Sequence, residues 1–298
     1  MHVRSTAAGL EVLAPAKLNL FLEVLDKRDD GFHEIETLMV PIGLFDTLHF
    51  QDAPSGRIDL TCRTSATFGG SAEPIPAGPE NIVFRAVDLV RRRFGVTKGA
   101  RVRLMKRIPM AAGLAGGSSD AAAALVATCR LWELALSPGE LSQLAAELGS
   151  DVPFFLGRGA AVCRGRGERI QPVSGLGNLW FVVVKPPVGL STAEVYRACR
   201  AADRPRRVES LIEALRAGRL ARAALGLHNA LQPAAEKLEP WVGRLSREFA
   251  ALDCLGHKMS GSGTSYFGLC RHARQARRVA ACLRTRGVGR CYAVQGTN

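Results

Sequence analysis

Residues 109–134 read PMAAGLAGGSSDAAAALVATCRLWEL, a glycine-rich turn followed by an alanine-rich helix. The pattern predicts that this helix runs from Asp120 to about Leu136. Glycine lets the backbone approach a ligand closely and lets successive N–H groups point into one concavity. The helix N-terminus adds unpaired donors and a partial positive charge. The segment therefore predicts an anion cradle, in which Ser118 and Ser119 offer hydroxyls to phosphate oxygens or to a metal ion.

This cradle differs from two widespread nucleotide-binding loops. The lysine of a GxxxxGK[ST] phosphate-binding loop is missing, and no GxGxxG follows the edge of a strand. On these residues alone, the alternative is an ordinary glycine turn in which Ser-Ser-Asp caps the helix.

Two further segments carry residues that could serve chemistry. In Ala14–Leu20 (APAKLNL), Lys17 and Asn19 lie on one face of a predicted strand because side chains alternate. Lys17 is either an exposed edge charge or a charge aimed into a site. Residues 258–265 read KMSGSGTS, which is either a second ligand-binding loop or a plain turn between structural elements.

Two lone titratable residues are also candidates. Asp151, in the stretch GSDVPFF, either caps the buried turn that follows or acts as a general base that a neighbouring cation keeps ionised. His33 follows a Gly-Phe turn, where a histidine taken alone is most often a surface loop residue.

Length and composition limit the class of protein. At 298 residues the chain is long enough for two domains, and 47% apolar with 22% charged residues excludes a disordered protein. No apolar run approaches the ~18–20 residues of a membrane span, and residues 1–13 lack the apolar core of a signal peptide. The eight cysteines are scattered without zinc-binding spacing, so we expect reduced thiols. These features predict a soluble cytoplasmic protein.

The net charge of +13 is unusual, and only seven of the 40 basic residues are lysine. The arginines form short groups at 91–93, 204–207 and 271–278, and aromatic residues make up 6% of the chain. A nucleic-acid binder is expected to concentrate such charge on one element. Three explanations stay open: a bias for arginine on solvated helix faces, a phosphate-rich small ligand attracted by the positive field, and a nucleic-acid partner.

Hydrophobic periodicity predicts alternating strands and helices. The predicted strands cover residues 10–25, 34–50, 58–63, 100–107, 179–185, 265–270 and 290–295, with two more joined by a turn within 160–173. The predicted helices beyond the alanine-rich one cover residues 81–94, 138–148, 192–201, 208–216, 219–224, 234–252 and 272–286, and the rest of 52–80 is predicted as a long loop. This alternation predicts a two-lobed α/β enzyme. Gly175–Gly177 marks the predicted boundary, which divides the chain into residues 1–175 and 176–298.

Taken together, the three glycine- or lysine-bearing motifs resemble, in type and order, those of the GHMP kinase superfamily, which includes galactokinase and the homoserine, mevalonate and phosphomevalonate kinases. Four further stretches are similar to one branch, whose acceptor is a methylerythritol linked to cytidine diphosphate in non-mevalonate isoprenoid biosynthesis. These stretches are DGFHEIETLMVPIGLFD, GSDVPFFLGRGAAVCRGRGE, KPPVGLSTAEVY and HNALQP. The resemblance extends over nearly the whole chain and is weakest at residues 52–80 and 200–225.

The resemblance implies an ATP-dependent kinase that phosphorylates the 2-hydroxyl of that acceptor. The cradle for the ATP phosphates would consist of Pro109, Met110, Ala111, Ala112, Gly113, Leu114, Ala115, Gly116, Gly117, Ser118 and Ser119. Asp151 corresponds to the catalytic base of the family, and Lys17 to the lysine that pairs with it near the acceptor hydroxyl. Ser118 and Ser119 are the candidate ligands of Mg²⁺, since no match is clear for the magnesium-binding glutamate of some members.

The same resemblance assigns the acceptor's binding residues. Phe32 and Tyr196 would stack on the two faces of the cytosine ring, and His33 would read its edge. Asn19, Ser262, Gly263 and Thr264 complete the predicted substrate-binding set. The sequence departs from the family pattern in two places, because Phe32 stands where tyrosine is commoner and Ala115 stands where glycine is frequent.

The implied fold is α+β, with an N-terminal lobe similar to ribosomal protein S5 domain 2 and a ferredoxin-like C-terminal lobe. The implied cofactors are ATP and Mg²⁺, and the implied partner is the small-molecule acceptor, with neither nucleic acid nor membrane and with a monomer or weak homodimer. The rival hypotheses are another GHMP kinase, whose substrate has no base to stack, and a non-catalytic nucleic-acid-binding protein.

Overall fold

The computed structural model describes residues 1–53, 56–64 and 75–297, so residues 54–55 and 65–74 of the predicted long loop lie outside the described part. The chain divides into two compact units. The first comprises Met1–Ala16, Leu44–Ile108 and Ala115–Arg158, and the second comprises Lys17–Gly43, Pro109–Leu114 and Gly159–Asn298. The division between residues 175 and 176 stays a prediction.

Twelve strands and nine α-helices lie within the described ranges. The strands are β1 (His2–Thr6), β2 (Gly9–Lys27), β3 (His33–Ala53), β4 (Ile58–Thr64), β5 (Gly99–Lys106), β6 (Ala161–Gly165), β7 (Arg169–Pro172), β8 (Trp180–Lys185), β9 (His228–Asn229), β10 (Gly256–Met259), β11 (Tyr266–Cys270) and β12 (Arg290–Gln295). The α-helices are α1 (Ile82–Arg93), α2 (Gly116–Leu131), α3 (Pro138–Leu148), α4 (Thr192–Ala198), α5 (Glu209–Arg216), α6 (Leu220–Gly226), α7 (Gln232–Leu238), α8 (Pro240–Ala250) and α9 (Ala273–Thr285). A 3₁₀ helix covers Pro153–Leu156.

One sheet has the strand order β1-β2-β3-β5-β4, with β6 and β7 continuing from β3 and β9 lying beside β2. In the first unit, β5 pairs antiparallel with the end of β3 and parallel with β4. In the second unit, β6 pairs antiparallel with the start of β3. The long strands β2 and β3 thus run from one unit into the other, and they carry several of the candidate residues.

Helix caps explain where α1 and α3 begin. The side chain of Asn81 accepts a hydrogen bond from the N–H of Val83 at 2.8 Å. Ser137 and Glu140 form a reciprocal capping box at the start of α3. Both helices pack against α2, whose alanines at 121–124 are fully buried. Small side chains suit this place because they let neighbouring elements approach closely.

The structure corrects two helix predictions. α2 begins at Gly116 rather than Asp120, after Ala115 adopts a left-handed conformation with φ 52°, and it ends at Leu131. The helix predicted over 234–252 is two helices, α7 and α8, because Glu239 is extended and Pro240 starts the second helix. Ser118 and Ser119 therefore lie inside the first turn of α2, not in the loop before it.

A second, four-stranded antiparallel sheet in the second unit has the order β10-β11-β8-β12. Its inner strand β8 contains three consecutive buried valines, at 182–184, and α9 packs against β8 and β12. The strands β1, β9 and β10 were not predicted from the sequence. None of the helices in the described ranges combines the length and the apolarity that crossing a membrane requires.

Candidate active site

Strand β2 holds Lys17 and Asn19 on one buried face. Lys17 is 3% exposed, and its Nζ donates to Oδ1 of Asn19. Asn19 Nδ2 donates in turn to Oγ1 of Thr37 at 2.8 Å, and that hydroxyl donates to the carbonyl of Phe21 at 2.6 Å. The alternative that Lys17 is an exposed edge charge is therefore wrong. A chain of hydrogen bonds therefore fixes the side-chain amide of Asn19, which accepts the hydrogen bond from Lys17.

The Gly/Ser loop, residues 260–265, reaches the same strand through Ser260. The backbone N–H of Asn19 donates to Ser260 Oγ at 3.2 Å, and Ser260 Oγ donates to the carbonyl of Gly113 at 3.0 Å. The N–H of Lys17 donates to the carbonyl of Leu114 at 3.1 Å. The second unit thus brings together residues from all three motifs.

Glycine is required at two positions of this contact. Gly113 has φ 69°, and a Cβ there would lie 2.0 Å from the carbonyl oxygen of Ser260. Gly261 has φ 56°, and its Cβ would lie 3.2 Å from Lys17 Nζ and 3.3 Å from Asn19 Oδ1. The two loops therefore touch backbone to backbone, and Gly261 leaves room beside the lysine.

The hydroxyls of Ser262 and Thr264 bind the Gly/Ser loop to the first residue of α4 and to the segment before this helix. Ser262 Oγ lies 2.8 Å from Thr192 Oγ1, and Thr264 Oγ1 donates to the carbonyl of Val188 at 2.7 Å. The same carbonyl accepts from Lys185 Nζ at 2.5 Å. Thr264 is fully buried.

The predicted base-binding residues form two contacts in the second unit. The rings of His33 and Tyr196 lie 5.2 Å apart at 34°. The ring of Phe32 is 48% exposed, and the guanidinium of Arg166 lies 4.7 Å from its centroid. Burial, and to a lesser degree Lys27, lowers the pKa of His33, so its imidazole is neutral at pH 7. Arg166 lies in the stretch GRGE and was not predicted as a site residue.

The first turn of α2 belongs to the first unit and presents the N-terminal donors. The N–H of Ser119 donates to the carbonyl of Ala115 at 3.0 Å, so the N–H groups before it have no partner within the helix. Ser119 is fully buried, and its Oγ has no hydrogen-bond partner among the described residues. Ser118 is half-buried and Gly117 is exposed. This turn can bind an anion through its N–H groups, or a ligand through the hydroxyls of Ser118 and Ser119.

Beneath this turn lies a buried charged triad that the sequence did not predict. Lys106 Nζ donates to Asp46 at 2.5 Å and to Asp120 at 2.7 Å. The second oxygen of Asp46 accepts from the N–H groups of Arg107 at 2.5 Å and Ile108 at 2.9 Å. The three residues come from β3, β5 and α2, so spacing along the sequence gave no signal.

The two carboxylates of the triad differ in their number of hydrogen bonds. Burial raises the pKa of Asp120 to about 8 against the attraction of Lys106, and its Oδ1 has no partner among the described residues. Burial opposes charge on Lys106, but Asp120 and Asp46 outweigh it and raise the pKa of the lysine. Asp46 accepts three hydrogen bonds, whereas among the described residues Asp120 accepts one, from Lys106.

Asp151 lies in the first unit, half-buried in the turn between α3 and the 3₁₀ helix. The N-cap of the 3₁₀ helix is Val152, without a side-chain cap bond, and both interpretations of Asp151 stay predictions. No cluster of three or more His, Cys, Asp or Glu side chains suited to a metal occurs in the described ranges.

Comparison with known proteins identifies the family. The model "GHMP kinases N terminal domain" matches residues 81–159, and "GHMP kinases C terminal" matches residues 211–289. The 4-diphosphocytidyl-2-C-methyl-D-erythritol kinase of Pelotomaculum thermopropionicum is 44% identical, over 92% of this chain and 94% of that relative.

The chain belongs to the 4-diphosphocytidyl-2-C-methyl-D-erythritol kinase family of GHMP kinases.

Solved structures agree with this membership. A crystal structure of 4-(cytidine 5'-diphospho)-2C-methyl-D-erythritol kinase is 38% identical, with a TM-score of 0.78, and the match covers 97% of this chain and all of that one. Homoserine kinase from Cytophaga hutchinsonii shares the fold alone, at 18% identity, a TM-score of 0.73 and coverage of 100% of this chain and 97% of that one. The α+β GHMP kinase fold expected from the sequence is confirmed.

Proposed function

We propose that the protein transfers the terminal phosphoryl group of ATP to the 2-hydroxyl of 4-diphosphocytidyl-2-C-methyl-D-erythritol. The observation that carries the proposal is the set of hydrogen bonds that joins Lys17 and Asn19 to Ser260 and Gly113. Such a set holds a buried ammonium beside two glycine-bearing loops. The relatives at 44% and 38% identity carry the names of this kinase.

ATP is the donor that membership of a kinase family implies. We propose that backbone N–H groups between Pro109 and Ser119 bind its phosphates. Beyond Ala115, the N–H groups of the first turn of α2 would donate to the phosphates. The dipole of α2 favours the negative charge of the phosphates at this end of the helix.

Mg²⁺ fits one feature of this turn. Ser119 Oγ is buried without a partner among the described residues, as a hydroxyl reserved for a ligand would be. Magnesium prefers oxygen ligands and usually combines one or two protein groups with phosphates and water. We propose Ser119, with Ser118 beside it, as the protein ligands. Bound there, the ion would offset the charge of the phosphates.

Phosphoryl transfer depends mainly on positioning and on electrostatic stabilisation of the transferred group. We propose that the ammonium of Lys17, oriented by Asn19, stabilises charge at the acceptor oxygen. Asp151 would accept the proton of that hydroxyl as the new bond forms. The assignment of Asp151 rests on the residue of the family that it matches.

Recognition of the cytosine ring would use the aromatic residues of the second unit. The neutral imidazole of His33 offers one donor and one acceptor to the base edge. Its contact with Tyr196 fixes the orientation of both rings, and the exposed ring of Phe32 offers a stacking surface. Asn19, Ser262, Gly263 and Thr264 would complete the acceptor site.

The proposal includes broader expectations. Residues 1–175 would form the ATP-binding half and residues 176–298 the second half. The enzyme would work in the cytoplasm as a monomer or weak homodimer, in non-mevalonate isoprenoid biosynthesis, without a nucleic-acid or membrane partner. The positive net charge would attract its two polyphosphate ligands.

A coupled assay of ADP release tests the proposal. The purified full chain is given ATP and Mg²⁺ with the cytidyl acceptor, homoserine, mevalonate or RNA in parallel. The cytidyl acceptor alone should stimulate ADP release. Stimulation by homoserine or mevalonate instead would assign the protein to another GHMP activity, and stimulation by RNA would favour the nucleic-acid alternative.

A further inference from the structure

Asn229 is a buried amide in which every polar group has a partner. It is 4% exposed, and its Nδ2 donates to the carbonyls of Met259 and Gly261, both at 2.8 Å. Its Oδ1 accepts from the N–H of Leu231 at 2.9 Å. The two carbonyls that it binds stand on either side of Ser260. One side chain therefore fixes the backbone around that serine.

Asn229 is itself fixed to strand β2. The strand β9 pairs parallel with β2, with Asn229 opposite Leu22, and the N–H of Ala230 donates to the carbonyl of Leu22 at 2.9 Å. Lys17 and Asn19 lie on that same strand. Asn229 thus connects the strand that carries the lysine to the loop that carries Ser260.

Ser260 connects the Gly/Ser loop to the other two motifs by hydrogen bonds. Its hydroxyl accepts from the N–H of Asn19 and donates to the carbonyl of Gly113. Both bonds require the hydroxyl to stay in one position, and the two carbonyls held by Asn229 set that position. The path from Asn229 to the glycine-rich loop therefore consists of direct hydrogen bonds only.

We propose that Asn229 is a positioning residue for phosphoryl transfer, which holds Ser260 so that the Lys17–Asn19 pair and the Gly113 turn keep their relative placement. The role rests on the proposed function, since it concerns the same site. Asn229 acts through Ser260 and not through the reacting atoms.

Only an amide can make this set of bonds. Two N–H groups donate to two carbonyls, and one oxygen accepts. An aspartate of the same shape would place a carboxylate oxygen against two carbonyl oxygens, and an alanine would leave both carbonyls without their donor. A misplacement of about 1 Å at a catalytic group can lower a rate about 100-fold. We therefore expect kcat to fall roughly 10- to 100-fold in both variants.

The test compares Asn229→Asp and Asn229→Ala with the control Gln275→Glu in the full chain. Gln275 is also a 4% exposed amide, and its Nε2 donates to the carbonyl of Asp253 at 2.6 Å. All three variants should unfold at a lower temperature. Well below those temperatures, only the Asn229 variants should lose kcat, and the KM for ATP should change less than kcat. Equal kcat losses in Gln275→Glu, or kcat within twofold of the unmodified protein in folded Asn229 variants, would overturn the proposal.

Ser260→Ala keeps the question answerable if the Asn229 variants do not fold. It removes the hydroxyl while leaving both carbonyls with Asn229, so a similar loss of kcat is expected. In a double-mutant cycle the losses should be much less than additive, because both changes break one path. Unchanged kcat in Ser260→Ala, or fully additive losses, contradicts the proposal. The unmodified protein is first assayed with every acceptor, so failure of the proposed substrate is recognised separately.

Discussion

The hydroxyl of Ser260 donates to the carbonyl of Gly113 at 3.0 Å, across 147 positions of the sequence. The backbones of Gly113 and Ser260 can approach this closely because Gly113 has no Cβ. A Cβ there would lie 2.0 Å from the carbonyl oxygen of Ser260. The glycine-rich loop and the Gly/Ser loop are therefore one structural arrangement. Glycines in it have different tasks, and substitution can separate them.

Gly113→Ala should lower stability, whereas Gly117→Val should lower ATP affinity. An alanine at φ 69° costs about 1–3 kcal/mol and also collides with the Ser260 carbonyl. A Cβ at Gly117 meets only Ile82 Cγ2, at 3.9 Å, so a valine there leaves the fold intact but covers the exposed first turn of α2. We expect at least about a tenfold loss of ATP affinity, or about 1.4 kcal/mol.

Thermal unfolding and calorimetry with ATP check both variants. Gly116 is a poorer test of ATP binding, since its Cβ would lie 2.8 Å from Ile108 Cγ2 and would disturb packing. If Gly117→Val binds ATP as the unmodified protein does, the phosphates bind elsewhere.

Asp151→Asn should abolish transfer while ATP still binds. The amide keeps the shape but cannot accept the hydroxyl proton, and general-base catalysis typically contributes about 10²–10⁴-fold. Single-turnover kinetics gives the rate of the chemical step, and calorimetry gives ATP affinity. Asp253→Asn, at a half-exposed carboxylate, is the matched control. A loss of only a few-fold in Asp151→Asn would leave the protein without its proposed base.

Asp120→Asn should remove a pH dependence of stability. The folded protein keeps the Asp120 proton up to about pH 8, whereas an unfolded aspartate releases it near pH 3.9. The folded state thus binds more protons between these values, and stability should fall as the pH rises through that window. Asparagine cannot ionise, so the melting temperature of the variant should fall by several degrees less across this pH window. For a protein of this size about 1 kcal/mol corresponds to 2–4 °C.

The neighbouring groups with shifted pKa values do not titrate inside this pH window. The raised pKa values of Lys106 and of Cys62 on β4 act only above it. Melting temperatures of both proteins between pH 5 and pH 8 give the answer. Parallel curves for the two proteins would show that Asp120 is ionised in the folded state at neutral pH.

Local signals in the sequence predicted much of the fold. The predicted helix starts at residues 81 and 138 agree with α1 and α3, where Asn81 and Ser137 form local caps between residues two or three apart. The start of α2 was misplaced because Ala115 adopts a left-handed conformation that alanine rarely takes. Asp120 does not start the helix, and its carboxyl accepts a hydrogen bond from Lys106 in the same unit.

The parts of the site that depend on tertiary contacts could not be predicted. Asp46 lies 60 positions before Lys106, and neither stands in a pattern that suggests a buried ion pair. Asn229 stood in a stretch with family resemblance, but its bonds to the Gly/Ser loop form only once β9 pairs with β2. Sequence patterns report neighbours along the chain, whereas these partners meet through sheet pairing.

His33→Ala and Tyr196→Ala should each raise the KM for the cytidyl acceptor, with ATP affinity nearly unchanged. Stacking on a base is worth about 1–3 kcal/mol by alanine substitution, or roughly tenfold to a hundredfold. Their rings lie 5.2 Å apart, so the double variant should lose less than the two single losses combined. Steady-state kinetics against cytidyl and uridyl acceptors also reports loss of base preference in His33→Ala.

Two controls accompany the aromatic variants. Phe32→Tyr should be mild, because the ring remains and only a hydroxyl is added. Tyr292→Ala, at a half-buried tyrosine of β12, should affect stability without raising that KM. If the His33 and Tyr196 variants change ATP affinity instead, these rings belong to the adenine side.

The phosphorus spectrum of the product tests the central claim most directly. The 2-hydroxyl of the acceptor is on a carbon that carries a methyl group and no hydrogen. A phosphate ester at that oxygen therefore has no three-bond coupling to a proton. After incubation with ATP and the cytidyl acceptor, the proton-coupled ³¹P spectrum should contain one new monoester singlet, with ADP formed in equal amount. A new monoester resonance split by protons would place the phosphate on another hydroxyl, and ADP without any new monoester would contradict the account altogether.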